Sequence, residues 1–287
     1  MSLSNPVVLV VGAAGRVAGL VVPELVRHGA VVRGFVRSDT KVAAARDRGA
    51  SDVVIGDLRD RRSVEAAVRG VDGVFHIGPA FLEDEAELGV GVVAAARRAG
   101  VRKIVFSSAI HPTNTVLQNH ASKLPVEQAI FQSGIDYTIL HPATFFQNIA
   151  AGWNTVLDTG VFGEPFPAST RIARVDYRDV AEAAAIAFTT DRLAYGTFEL
   201  CAGMTSRDDI VAIMSDVLGR PVTAAAPPFE AWSARLPLDA RQKALLAKVH
   251  ASYAAYGSGG NSLALRAILQ REPRTLRQYI ELLAGRA

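Results

Sequence analysis

Between residues 7 and 140, short runs of β-branched residues alternate strictly with Ala-, Arg- and Glu-rich stretches of helical period. The runs fall at 7–11, 31–36, 52–55, 73–77, 103–106 and 137–140. The helical stretches between them, 16–28, 41–48, 62–69, 85–99 and 122–132, mostly stop at glycine, which turns the chain out of a helix at little steric cost. Two neighbouring parallel strands require a crossover, and a helix is the usual one. The alternation therefore predicts an α/β fold, a Rossmann-like doubly wound parallel sheet with helices on both faces.

After Pro142 the rhythm loosens, and 287 residues leave room for a smaller second lobe. Asp176 is placed to cap a helix through 181–188, and 197–201 reads as a strand. Ser206 starts a helix that stops near Gly219, and the chain from Pro227-Pro228 onward is helical apart from a break at 257–260. The expected division is 1–150 for the sheet domain and 151–287 for a smaller, mostly helical C-terminal substrate lobe. That lobe is partly interleaved with the first and covers the carboxyl ends of the strands.

Several classes of partner are set aside at this stage. The 31 basic and 28 acidic residues are interspersed, which reads as solvated helix faces, whereas nucleic acid needs a concentrated basic patch with aromatics. Residues 1–6 carry no basic segment, and the apolar run after them is too short to cross a bilayer. No targeting segment and no membrane partner are expected. The lone Cys201 cannot form an internal disulfide, which suits a reducing, cytoplasmic setting. The histidines (His28, His76, His111, His120, His141, His250) show no metal-ligand spacing. Hydrolase and phosphate-loop signatures are missing as well.

The strongest chemical signal is Gly12-Ala13-Ala14-Gly15-Arg16-Val17-Ala18-Gly19, directly after the first strand. Gly12 permits a tight turn, Gly15 lets backbone approach a pyrophosphate, and Ala18 with Gly19 lets helix and strand pack closely. With a strand before it and a helix after it, this loop predicts dinucleotide binding. An NAD site places an acid at the end of the second strand. Here Val36 is followed by Arg37, Ser38, Asp39 and Lys41, so cations and a hydroxyl are offered to a 2′-phosphate, and NADP(H) is preferred over NAD(H). In the competing reading Arg37 is a surface residue and Asp39 takes the acid's role. Asp57-Leu58 after the third strand and Ile77-Gly78-Pro79 after the fourth lie at the same ligand-binding edge. Asp57 is read either as a partner for adenine or as a helix cap.

These segments, taken in order, resemble the NmrA-like branch of the atypical short-chain dehydrogenase/reductases. The matching stretches are VVLVVGAAGRVAG (7–19), GFVRS (34–38), GDLRD (56–60), AARRAGVRKIVFSSA (95–109), SKLPVEQAIFQSGIDYTILHPATFFQN (122–148), VDYRDVAEAAA (175–185) and FELCAGMTSRDDI (198–210). The resemblance implies a Rossmann core, NADP(H) and a C-terminal substrate cleft. It also implies either reduction of quinones, dyes or related aromatics, or non-catalytic sensing of the nicotinamide redox state. The superfamily uses a Tyr-x-x-x-Lys pair, and four residues before Lys123 this chain has Asn119. Lys123 then binds the nicotinamide ribose or serves as acid or base, and Ser108, with Ser107 beside it, falls at the superfamily's serine. His120 is an alternative proton donor. Pro125 suits a first helical turn, which sets Lys123 just ahead of the helix.

His141 stands where the family more often has arginine, and Pro142, Ala143, Thr144 and Phe145 after it are expected to line the nicotinamide pocket. Trp153, Phe162, Trp232 and Tyr253 are candidates for an apolar substrate wall, with core packing as the competing role. Two functions follow from the whole reading. One is an NADP(H)-dependent oxidoreductase acting on a small quinone, carbonyl or enone-type aromatic compound, with Lys123 and Ser108 organising the site. The other is a redox sensor that binds the dinucleotide and acts through a protein partner.

Overall fold

The computed structural model describes residues 5–286; residues 1–4, part of the stretch read for a targeting signal, lie outside the described residues. The chain divides into two units. The first takes the chain up to Pro142 together with Tyr177–Phe198, and the second takes Ala143–Asp176 and the chain from Glu199 onward. Residues 143–150 thus belong with the second unit, and one later helix returns to the first.

The first unit carries strands β1 (Val7–Val11), β2 (Val31–Val36), β3 (Asp52–Ile55), β4 (Gly73–Ile77), β5 (Lys103–Ser107) and β6 (Asp136–Pro142). They lie in the order β6-β5-β4-β1-β2-β3, and the neighbouring pairs are parallel. A further strand at Gly196–Leu200 extends the sheet beside β6. β1 reads VVLVV without alternation because helices cover both faces, and Val8, Leu9 and Val10 are at most 1% exposed. The order reverses between β1 and β4, which opens a crevice at their carboxyl ends.

Helices α1 (Val21–Arg27), α2 (Val42–Asp47), α3 (Arg61–Val68), α4 (Glu85–Arg98), α5 (Gln118–Ala121) and α6 (Leu124–Phe131) connect these strands. α1 begins later than the period suggests, after a 3-10 turn at Ala18–Leu20, because the glycine loop consumes residues 12–17. α6 has Pro125 in its first turn and Lys123 at its N-cap. Val92, Val93 and Ala96 of α4 pack with Val126 and Ile130 of α6 and with Leu9, Val74, Ile104 and Phe106 of the sheet, forming this unit's main core.

The second unit begins with β7 (Thr144–Phe145), a 3-10 segment Phe146–Gly152, α7 (Trp153–Thr159), β8 (Val161–Gly163) and β9 (Ile172–Val175). α8 (Tyr177–Thr189) and β10, the Gly196–Leu200 strand, intervene before β11 (Gly203–Thr205), α9 (Arg207–Leu218) and β12 (Thr223–Ala225). α10 (Phe229–Ser233), α11 (Ala240–Tyr256), α12 (Leu263–Leu269) and α13 (Leu276–Leu283) complete the chain. Small sheets β11-β9-β7 and β12-β8 frame it. Ser206 caps α9 through a reciprocal bond with Asp209, and Gly219 ends it in the left-handed conformation, as the residue types predict. Trp153 and Phe162, read as possible substrate-wall residues, lie instead in this unit's core with Ile210, Met214 and Tyr279. No described helix is long and apolar enough to cross a membrane.

Candidate functional site

The loop after β1 is built for close approach. Gly12 has φ +75° and donates its N–H to the Phe35 carbonyl at 2.9 Å, while Gly15 donates to the Gly12 carbonyl at 2.7 Å. A Cβ on Gly15 would sit 2.9 Å from that carbonyl oxygen, and one on Gly19 would sit 2.8 Å from the Ala13 carbonyl. Gly12, Gly15 and Arg16 are exposed, Ala14 and Val17 half-buried, and Ala13 fully buried beneath Gly34. Arg48, which sequence reasoning passed over, ties the loop down by donating to the carbonyls of Ala13 at 3.0 Å and Gly15 at 2.7 Å. No local pattern signals it, because the contact spans more than thirty residues.

At the end of β2, Val36 is buried while Arg37 and Lys41 are exposed and Ser38 is half-buried. Ser38 and Thr40 share a hydroxyl–hydroxyl bond at 2.8 Å, and Asp39 accepts the Thr40 N–H at 2.7 Å. Asp39 is thus engaged in its own turn. After β3, Asp57 accepts the Arg59 N–H at 2.9 Å. The cap of α3 is Asp60, which accepts from the Arg62 N–H, so the capping role read for Asp57 belongs three residues later. Leu58 is half-buried against the core. After β4, Ile77, Gly78 and Pro79 are half-buried. A Cβ on Gly78 would lie 2.7 Å from Glu85 Oε1 and 3.2 Å from Lys123 Nζ.

Lys123 and Glu85 form an ion pair in which both side chains are nearly inaccessible, with Nζ donating to Oε1. Glu85 Oε2 has no hydrogen-bond partner, and neither do Asn119 Oδ1, Ser122 Oγ or the two nitrogens of His76. His76 stacks on Phe106 with ring centroids 5.7 Å apart. Burial, with the Lys123 charge as a lesser cause, lowers its pKa to about 3, so it is neutral at pH 7.

The parallel register of β5 and β6 pairs Ser107 with Leu140, and the Ser108 N–H donates to the Leu140 carbonyl at 2.8 Å. Ser108 and His141 are thereby brought side by side. Glu127 lies one helical turn beyond Lys123, and its Oε1 accepts from Ser108 Oγ at 2.5 Å and from His141 Nε2 at 2.9 Å. Ser107 is fully buried and accepts from the Tyr177 hydroxyl at 2.9 Å; burial raises the pKa of that phenol. Sequence reasoning did not assign roles to Glu127, Glu85 or Tyr177. The four-residue spacing of Lys123 and Glu127 was the one available signal, since it puts both on one helix face.

His120 is buried, its Nδ1 bonds the His111 carbonyl at 3.0 Å, and burial lowers its pKa. Such an imidazole is neutral with Nε2 as an acceptor, which suits accepting a hydrogen bond better than donating a proton. Pro142 closes β6 within the first unit; Ala143, Thr144 and Phe145 belong to the second, where Ala143 is buried and Thr144 bonds the Tyr253 hydroxyl at 3.0 Å.

In that second unit His250 makes ring contacts with Phe166, Phe229, Trp232 and Tyr253. Burial and then the charges of Arg174 and Arg207 lower its pKa to about 4. Both arginines are buried and hold the 164–166 backbone and the Glu164 carboxylate.

With this geometry in hand, comparison places the chain: the model of the NmrA-like family matches residues 4–280. The chain belongs to the NmrA-like family. Among its curated relatives, an NAD(P)H azoreductase from Xenophilus azovorans is 28% identical over 75% of both chains. A (4-alkanoyl-5-oxo-2,5-dihydrofuran-3-yl)methyl phosphate reductase from Streptomyces griseus is 33% identical over 84% of this chain and 81% of its own. The solved structure of an NADPH-dependent quinone oxidoreductase from Escherichia coli, complexed with NADPH, superposes with a TM-score of 0.83 at 23% identity, covering 97% of this chain and 99% of that one. The sheet order and the glycine loop are therefore features of an NmrA-like family member.

Proposed function

We infer that the protein is an NADP(H)-dependent reductase of a small quinone, carbonyl or enone compound. The observation that carries this reading is the convergence, at the carboxyl edge of one sheet, of a side-chain-free cradle (Gly12, Gly15, Gly78) with buried, hydrogen-bonded Ser108 and Lys123. The printed activities of the two curated relatives support it.

The residues fit a dinucleotide. A Cβ at Gly15 would collide with the Gly12 carbonyl and one at Gly78 with the Glu85 carboxylate, so both positions present bare backbone, and Glu85 Oε2 and Asn119 Oδ1 are buried acceptors with no partner. Gly12, Ala13, Ala14, Gly15, Arg16 and Val17 would receive the pyrophosphate. Arg37, Ser38 and Lys41 would hold the 2′-phosphate, and Asp57 and Leu58 the adenine. Ile77, Gly78, Pro79, Ser107, Lys123 and Pro142, all in the first unit, would line the ribose and nicotinamide. When bound, the reduced nicotinamide supplies the hydride. Lys123, paired with Glu85, donates hydrogen bonds to hydroxyls, and Ser108 Oγ orients and protonates the substrate oxygen. His120, neutral and aimed by His111, serves as an acceptor that orients a ligand.

Asn119 favours a second reading, dinucleotide binding without turnover in a redox sensor with a protein partner. Paired NADPH and NADH titrations, followed by quinones, aromatic aldehydes and azo dyes in the same cuvette, separate the two. Tight NADPH binding with oxidation is expected. Binding without oxidation across the panel would overturn the reductase reading in favour of the sensor.

A further inference from the structure

We propose that Glu127 and His141 form a proton relay that resupplies Ser108, making Ser108 Oγ the group that protonates the substrate oxygen in place of the absent tyrosine. The proposal rests on the reductase reading above. Its geometry is a single shared atom: Glu127 Oε1 lies 2.5 Å from Ser108 Oγ and 2.9 Å from His141 Nε2. A proton leaving His141 therefore arrives on the oxygen that already touches the serine. Ser108, Glu127 and His141 are 5%, 7% and 8% exposed, so the path is largely enclosed.

Other proton sources near Ser108 are engaged elsewhere. Lys123 is tied to Glu85, and the Tyr177 hydroxyl is committed to Ser107. His120 bonds the His111 carbonyl and is held neutral by burial. Glu127 is the carboxylate that faces His141, and the charge next along that helix, Lys123, is matched by Glu85. Histidine is the side chain that gains and loses a proton near neutrality.

The step balances as follows. Hydride from a reduced nicotinamide dinucleotide forms the new C–H bond, and the C=O π pair moves onto oxygen. That oxygen takes the Ser108 proton. Protonated His141 passes its Nε2 proton to the Glu127 carboxylate at Oε1, Oε1 passes that proton on to Ser108 Oγ, and the resulting neutral imidazole takes its next proton from solvent. Glu127 and His141 are positioning and supply residues; Ser108 alone touches substrate.

The test compares His141→Arg, which keeps a cation against Glu127 but cannot release a proton, with His141→Gln, which keeps an N–H donor without charge. With an aldehyde or ketone acceptor, kcat is expected to fall by about a hundredfold in both variants, while KM and NADPH affinity stay within about twofold. A quinone, whose reduced oxygen is a stabilised phenolate, should lose little. Carbonyl turnover by the wild type should depend on pH, and that dependence should disappear in His141→Arg.

NADPH binding reports folding, and if His141→Arg does not fold, His141→Gln carries the same criteria. Full carbonyl turnover in the folded variant, or a pH profile in His141→Arg identical to that of the wild type, overturns the relay and leaves the reductase reading intact. A wild type that binds NADPH but oxidises it in the presence of none of the acceptors overturns both.

Discussion

Arg37 and the Lys123–Glu85 pair are the residues on which the cofactor reading can be tested most directly. Arg37 is exposed at the end of β2, where it can move to a phosphate at little cost. Arg37→Glu should weaken NADPH binding by about tenfold or more, the value of one charge-assisted contact, and leave NADH nearly unchanged in a fluorescence titration. Equal effects on both would remove Arg37 from the 2′-phosphate site. The Lys123–Glu85 pair makes a different demand. Two buried charges gain little net stability from each other, yet removing one strands its partner. Glu85→Leu alone should therefore cost about 3 kcal/mol or more by urea unfolding, and adding Lys123→Met should restore most of it. A double variant no more stable than the single one would show that the pair's charge is not what the interior tolerates. Gly78 follows the same geometry. Any side chain there meets Glu85 and Lys123, so Gly78→Val is expected to abolish dinucleotide binding before it unfolds the sheet.

Among the elements, the helix termini show how local chemistry sets boundaries. Ser206 and Asp209 satisfy each other's backbone donors at the start of α9. Ser206→Ala should cost about 1 kcal/mol, measured by denaturant midpoint, with NADPH affinity unchanged because Ser206 is not among the residues assigned to the dinucleotide. The end of α8 is satisfied differently: Lys103, from β5, sends its ammonium to the carbonyls of Ala187 at 2.8 Å and Thr190 at 3.2 Å. A cation at a helix C-terminus is favourable, and here it also anchors a returning helix to the central sheet. Lysine inside a strand reads as an edge or solvent residue in a sequence, and only its long-range partner explains its burial. α6 repeats the lesson. Pro125 correctly marks its first turn, and that placement sends Lys123 toward Glu85 and Glu127 toward Ser108.

For the whole molecule, two buried imidazoles set a pH dependence. His76 has a pKa of about 3 and His250 of about 4, both below the unfolded value of about 6.5. Between those limits the unfolded chain binds more protons than the folded one, so stability is full above about pH 6.5 and falls as the pH is lowered. Each group contributes a slope of up to about 1.4 kcal/mol per pH unit in its window. The thermal midpoint should therefore drop between about pH 6.5 and 4, and His250→Phe should flatten part of that drop. An unaltered slope in His250→Phe would show that the aromatic cluster of the second unit does not hold its histidine neutral.

Fold and dinucleotide loop were legible because their signals are local. A β-branched run, a helical period, a glycine that tolerates φ +75° and a serine–aspartate cap each act within a few residues. The same locality explains what was misplaced. Asp57 and Asp60 both have the side chain of a cap, and Asp60 takes the role, accepting from the Arg62 N–H at the start of a helix that buries Val64, Ala67 and Val68. The sequence by itself determined the alternating architecture, the family and the positions of Ser108 and Lys123. Only the tertiary structure decided that Glu85 neutralises Lys123, that Arg48 fastens the glycine loop and that one oxygen of Glu127 joins Ser108 to His141. Those contacts depend on strand register and helix packing across long stretches of chain, and burial gives them their strength by removing the water that would otherwise compete for the same atoms.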